Sequence, residues 1–152
     1  MVSEVVGLLA DTPLPLEIGH FELDERGALS CRDARQPMHF AFEYAGFPFA
    51  CTVSRADQAR IDVCATLGAL PYTAESPYAR AFLMRLLETT GQFPSGRFML
   101  TEHGELRLLA SKPSLEPCTA VRVMAVVAAV LLEFKPYAEA LRHLVNPSPA
   151  TA

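Results

Sequence analysis

The sequence lacks several of the patterns by which function is usually recognised. No two cysteines form a Cys-x-x-Cys pair, and no histidines stand at zinc-ligand spacing. The chain has no Gly-x-Gly-x-x-Gly or Walker motif, so it shows no signature of a nucleotide-phosphate cradle. We therefore predict no metal site, no cofactor and no cofactor-binding residues.

Basic runs and long apolar runs are also missing. The formal net charge is -4 and the pI is about 5.5, which makes nucleic acid an unlikely class of partner. The longest apolar run, residues 123–132, is roughly half of what a membrane-spanning helix needs, so we expect no membrane association. Glu4 stands where a secretory signal would be basic, and we predict a cytoplasmic protein.

The composition that remains is that of a globular domain. The chain has 152 residues, of which 51% are hydrophobic and 20% charged. A chain of this length can bury a single core without metals or disulfides. We predict one α+β domain over residues 1–145 and a C-terminal tail over 146–152, where two prolines stand among small residues.

Alternating apolar residues predict several antiparallel strands. Residues 20–24 and 28–31 flank Glu25-Arg26-Gly27, a suitable three-residue turn, and the register places Leu23 opposite Leu29. A further strand is predicted over residues 61–67.

Residues 38–53 allow two interpretations. A two-residue loop at Ala45-Gly46 would pair Tyr44 with Phe47 and put the aromatic residues on one face. Pro48 lacks an amide donor and suits an edge strand or a bulge, so a single bent strand is the alternative.

Two helices and a second hairpin complete the predicted fold. Ser76-Pro77 predicts the start of a helix that ends at Gly91. Strands at 97–100 and 105–108 flank a turn at 102–104. Residues 117–134 predict a helix buried on more than one side, and Lys135-Pro136 predicts a stop or a kink followed by one or two further turns. Its predicted apolar stripe consists of Val121, Met124, Val127, Ala128, Leu131 and Leu132.

The second face of the predicted sheet is the best candidate for a functional surface. It carries small or apolar residues where a solvated face would be polar. The candidates to cover it are the N-terminal segment, a second copy of the chain, an extended protein ligand and one of the chain's own helices. The residues predicted to contact a partner are Ala41, Ala50, Cys64, Met99 and Leu109.

Catalytic residues are not predicted. Cys64, Asp62 and His39 fall on the same face, and a Cys–His pair within hydrogen-bond reach would be an enzyme-like alternative. Nothing in the sequence makes their strands neighbours, and no basic residue is placed to lower the pKa of the thiol. Cys31, Cys51, Cys64 and Cys118 are interpreted mostly as small buried hydrophobic residues.

The order of elements resembles the YbjN-like bacterial sensory-transduction regulators and the related type III secretion chaperone fold. The resemblance covers mainly residues 78–144. It rests on Leu86-Leu87 near the helix end, the hairpin segments 96–100 and 104–108, and the final helix from Pro117. It implies an antiparallel sheet with helices packed on one face, frequent dimer formation, and a binding role.

We therefore predict a non-catalytic cytoplasmic protein-binding module of chaperone-like or regulator-like type, which forms a homodimer and binds a protein partner. Two alternatives stay open. One is a small enzyme that uses Cys64 and His39, and the other is a structural assembly subunit with an extensive self-association interface.

Overall fold

The computed structural model describes residues 18–19, 21–23, 25–26, 28–31, 36–55, 58–89, 93–114 and 117–145. The tail over residues 146–152 and the predicted helix end at Gly91 lie outside the described residues.

The described residues form seven strands and two helices. In chain order these are β1 (Phe21–Leu23), β2 (Leu29–Cys31), β3 (Met38–Tyr44), β4 (Phe47–Ser54), β5 (Arg60–Ala69), α1 (Pro77–Thr89), β6 (Gly96–Leu100), β7 (Glu105–Pro113) and α2 (Ala120–Leu144). Strands β3-β4-β5-β7-β6 form an antiparallel sheet in that order, and β1 pairs with β2 in a separate two-stranded sheet. The predicted α+β class and antiparallel sheet are confirmed.

The core lies between the five-stranded sheet and α2. Phe134 of α2 is fully buried, and its ring centroid lies 5.7 Å from that of Phe49 and 5.8 Å from that of Phe47. The ring centroid of Phe98 in β6 lies 6.4 Å from that of Phe134. Helix α1 adds Leu83 to this core. One aromatic side chain of α2 thus joins the hairpin at one end of the sheet to the edge strand at the other.

The predicted hairpin registers are confirmed. Leu23 pairs with Leu29, and Tyr44 pairs with Phe47 across a two-residue turn. The hairpin interpretation of residues 38–53 is therefore the right one. Once a hairpin forms, the local pattern fixes its register, because a shift by one residue would turn the core-facing aromatic side chains to the other face.

The turn between β3 and β4 places an alanine in the left-handed region. Ala45 has φ 54° and Gly46 has φ 82°, the paired positive values of a type I′ turn. Asparagine tolerates this conformation better than alanine. We expect Ala45→Asn to raise the free energy of unfolding by about 0.5–1 kcal/mol, measured by urea denaturation. The same substitution at Ala41, within β3, is the control and should give no gain, since asparagine is disfavoured in strands.

Pro48 lies in an internal strand, where an edge or a bulge was expected. It pairs with Glu43 of β3, but the pairing of β4 with β5 begins only at Phe49. Tyr44 and Phe47 flank the two-residue turn and form a hydrogen-bonded pair. The following pair, Glu43 and Pro48, is therefore a non-hydrogen-bonded pair, whose backbone donors point away from the hairpin. The missing amide of Pro48 therefore falls where β5 offers no partner.

The start of α1 is the predicted one. The Ser76 hydroxyl accepts a hydrogen bond from the Ala79 amide at 3.3 Å. Leu83 is buried, and Leu86 and Leu87, three and four residues further along the helix, are half-buried. Phe82 is exposed.

The predicted stripe of α2 is wrong at four of its six residues, and the predicted burial on more than one side is wrong as well. Its buried residues are Val123, Val127, Val130, Phe134, Ala138 and Leu141. Val121, Met124, Ala128 and Leu132 of the predicted stripe are exposed instead. The first half of this helix is apolar almost all round, so helical period alone does not distinguish its faces.

The helix also continues through Pro136 to Leu144, where a stop or a kink was expected. Four buried side chains from Val130 to Leu141 attach both halves to the core, which offsets the loss of one backbone hydrogen bond. Neither α1 nor α2, the helices of the described part of the chain, is long and apolar enough to cross a membrane.

A carboxylate of α2 holds the turn before β6. Glu133 accepts hydrogen bonds from the Ser95 amide at 2.9 Å and from the Ser95 hydroxyl at 2.6 Å. Ser95 is the one buried polar residue of the described chain. This contact, which the sequence pattern did not reveal, fixes the position of β6 relative to α2.

Candidate protein-binding face

Four of the five predicted contact residues form one line across the sheet. Ala41 pairs with Ala50, Ala50 with Cys64, and Cys64 with Leu109. We call these four residues the central row. Their neighbours in sequence, such as Phe49 and Leu108, point into the core, so the central row lies on the opposite side of the sheet, which we call the open face.

The open face is not covered by either described helix. Ala41 and Ala50 are exposed, and Cys64 and Leu109 are half-buried. Met99, the fifth predicted contact residue, lies in β6 beside Arg107 and is also half-buried. The sequence thus predicted which side chains share this face, and the strand order brings them together.

A groove of about 690 Å³ occupies one side of the open face. Ala50, Cys64 and Leu109 form its apolar floor, and the turn at Pro94-Ser95 lines it beside the edge strand β6. The groove is open to solvent, which suits an extended chain better than a compact small molecule.

A polar row runs beside the central row. His39 pairs with Thr52, Thr52 with Asp62, and Asp62 with Ser111. The His39 Nδ1 and the Thr52 hydroxyl lie 3.0 Å apart. Sequence alternation placed His39 and Asp62 on this face, but the alignment of all four depends on the register of three strand pairs.

Asp62 is already engaged by its neighbours. Its carboxylate lies 3.2 Å from the Arg60 Nε and accepts a hydrogen bond from the Ser111 hydroxyl. The Arg60 Nε also donates to the Ser111 oxygen at 2.5 Å. These three residues are exposed or half-buried, so they form a solvated polar wall of the groove.

The two arginines that line the groove, Arg60 and Arg97, are not equivalent. Arg60 pairs with Asp62. Arg97 is exposed at the groove edge, and within the described ranges no carboxylate forms an ion pair with it. It is therefore a cation that is available to a ligand.

The thiols of the sheet are not activated. Burial, together with the charge of Asp62, raises the pKa of Cys51 to about 11. Burial also raises the pKa of Cys64, although Arg107 opposes that shift. Both groups are neutral thiols near pH 7, which is the unreactive form. Cys51 and Cys118 are buried as expected, while Cys64 is half-buried on the open face.

This difference in burial predicts an order of thiol reactivity. With a maleimide at neutral pH, we expect Cys64 to react at least about tenfold faster than Cys51 or Cys118 in the folded protein. Peptide-resolved mass spectrometry measures the three sites separately. In urea the three rates should converge, and a Cys51 as reactive as Cys64 under native conditions would contradict the described packing.

The structure does not bring Cys64 and His39 together. His39 lies in β3 and Cys64 in β5, so β4 separates them by two strand spacings, roughly 10 Å. They also belong to different rows. This distance leaves no direct hydrogen bond between thiol and imidazole. In the described part of the chain, no group of three or more His, Cys, Asp or Glu side chains is placed to hold a metal ion.

Several groove residues were not singled out from the sequence. Arg60, Ser111 and Arg97 carry no motif, and they join the groove only through the pairing of β5, β7 and β6. Alternation would have placed Ser111 on the face of Leu109, Arg60 on that of Asp62 and Arg97 on that of Met99, and this signal was available.

Comparison with known proteins adds no relative. No family model matches the chain, and neither the curated proteins nor the solved structures contain a match.

Proposed function

We propose that this chain is a non-catalytic protein-binding module, chaperone-like or regulator-like, that binds an extended segment of a partner protein on the open face. The observation that carries the proposal is the central row, a continuous line of small and apolar side chains across four strands with no described helix over it. The solvated face of an antiparallel sheet normally carries charged and polar side chains.

The order of elements supports the finer assignment. Three strands, a capped helix, a hairpin and a long helix follow one another from β3 to α2. This order is compatible with the type III secretion chaperone-like and YbjN-like fold that the sequence resembles. The same resemblance supports a cytoplasmic location and a homodimer. Sedimentation of the purified chain would test the homodimer.

The groove indicates the chemistry of the bound segment. Ala50, Cys64 and Leu109 provide a shallow apolar floor, which suits short apolar side chains at alternate positions of an extended chain. Arg97 at the groove edge favours a carboxylate in the same segment. The partner segment is therefore expected to combine small apolar residues with an acidic one.

The test is an interaction screen with a matched pair of variants. The full chain, with a photo-crosslinking residue in place of Thr52, is expected to capture a protein in its native host, and mass spectrometry identifies the crosslinked segment. Ala50→Arg should weaken binding of that segment at least about tenfold, because a long cation then occupies the apolar floor. Ala81→Arg, on the exposed side of α1, is the control and should leave binding unchanged.

Two outcomes would contradict the proposal. If Ala50→Arg and Ala81→Arg bind the captured segment equally well, the open face is not the binding surface. If the chain turns over a substrate and Cys64→Ala or His39→Ala abolishes turnover, the enzyme alternative holds in place of a binding module.

A further inference from the structure

The outward side of α2 carries a second apolar surface. Val121, Met124, Ala125, Ala128 and Leu132 follow one another at i, i+3, i+4, i+7 and i+11, and we call these five residues the outer stripe. All five are exposed, with Val121 at 79%, Met124 at 56% and Leu132 at 70% of full accessibility. Single exposed apolar residues are ordinary, whereas these five form one contiguous apolar row over three helical turns.

The outer stripe ends where the helix becomes polar. Lys135 and Glu139 continue the same line toward the C-terminal end of α2, and both are exposed. The apolar surface is therefore confined to the N-terminal half of the helix. It does not continue into the open face, because α2 lies on the other side of the sheet.

The size of the outer stripe argues against a second copy as its main occupant. Three turns of helix are about 16 Å long and roughly 10 Å wide, which gives on the order of 160 Å². A stable interface between two proteins needs about 800 Å² from each partner. A short segment of the same chain needs far less area, because its tether supplies an effective concentration in the millimolar range.

The N-terminal part of the chain enters the described fold beside the start of α2. The Ile18 amide donates to the Cys118 carbonyl at 2.9 Å, and Arg55 donates to the carbonyls of both residues. Cys118 directly precedes Thr119, the N-cap of α2. Residues 1–17 therefore join the fold within a few residues of Val121, where the outer stripe begins.

The sequence of that segment fits an apolar helix face. Val2, Val5, Val6 and Leu9 have the spacing i, i+3, i+4 and i+7. From Leu9 to Ile18 the chain can extend up to about 30 Å, well beyond the length of the outer stripe. Pro13 and Pro15 favour an extended connection between Leu9 and Ile18.

We propose that residues 2–9 bind intramolecularly to the outer stripe of α2 through Val2, Val5, Val6 and Leu9. The occupant is thus the chain's own N-terminal segment, and this inference does not depend on the function proposed for the open face. It also explains why the first half of α2 is apolar almost all round.

Protection of a single thiol on the outer stripe tests the proposal. Ala128→Cys places a thiol at the centre of the stripe, and its maleimide labelling in the full chain is followed by peptide-resolved mass spectrometry. In the background Val5→Ser/Val6→Ser/Leu9→Ser, we expect labelling to become at least about tenfold faster. Glu4→Ser is the matched control in the same segment and should preserve the protection.

Two internal checks separate docking from unfolding and from association. Cys51 and Cys118 are buried, so they must stay unlabelled in every variant that is folded. Glu139→Cys, beyond the outer stripe, should label rapidly in all backgrounds. Equal labelling at Ala128→Cys with and without the triple substitution would overturn the proposal. Protection that grows with protein concentration would also overturn it, because the occupant would then be a second copy.

Discussion

We expect Phe134→Ala to lower the free energy of unfolding by about 3–5 kcal/mol. The side chain is fully buried in α2, and its ring contacts Phe47 and Phe49 of the β3–β4 hairpin side and Phe98 of the edge strand β6. Truncation would leave a cavity lined by aromatic rings that lie on different strands. Such rings cannot close on one another without distorting the sheet.

Urea denaturation of the purified full chain measures this effect. Lys135→Ala, the exposed next residue of the same helix, is the control and should change the free energy of unfolding by less than about 0.5 kcal/mol. Phe134→Leu should recover part of the loss, since it refills part of the cavity. A Phe134→Ala variant within about 1 kcal/mol of the parent would contradict the described core.

The second large effect is expected at Gly96, the first residue of β6. Its backbone lies so close to β7 that a Cβ atom would overlap the Leu109 carbonyl oxygen and stand 2.9 Å from the Ala110 Cβ. A backbone oxygen cannot rotate away as a flexible side chain can. We expect Gly96→Ala to cost about 3 kcal/mol in the free energy of unfolding, because β6 must move away from β7.

A double variant distinguishes a backbone clash from a side-chain clash. Gly96→Ala/Ala110→Gly removes the second contact but leaves the Leu109 oxygen in place, so we expect it to stay as unstable as the single variant. Gly104→Ala, with φ 79° and open space around it, is the control and should cost only the left-handed penalty of about 1 kcal/mol. Restored stability in the double variant would contradict the backbone clash.

The Gly96 variant also bears on the proposed binding face. Gly96 and Arg97 lie at the groove edge, and the turn before them is held to α2 through Ser95 and Glu133. Movement of β6 would therefore shift Arg97 relative to the apolar floor. In a folded Gly96→Ala protein, binding of an acidic partner segment should weaken together with stability.

Much of the local structure follows from the sequence. The period of two along β3 and β4, with Ala45-Gly46 between them, predicts the observed pairing of Tyr44 with Phe47. Ser76 predicts the cap of α1. These features depend on residues a few positions apart, where side-chain period and turn geometry act directly.

The sequence also placed the central row on one face, because alternation in each strand is a local property. It did not show that Cys64 and His39 are kept apart, since that depends on β4 lying between their strands. Nor did it show the groove beside β6, which requires β6 to pair with β7 at the edge of the sheet.

By itself, then, the sequence determined the strands, the start of α1 and the side chains that share a face of the sheet. Only the tertiary structure decided which side of α2 is buried and why Pro48 is tolerated in an internal strand. The reason is physical: a helix that is apolar almost all round has no preferred face until Phe134 meets the aromatic side of the sheet. A proline can be accommodated in a strand wherever the neighbouring strand does not accept a hydrogen bond from that backbone position.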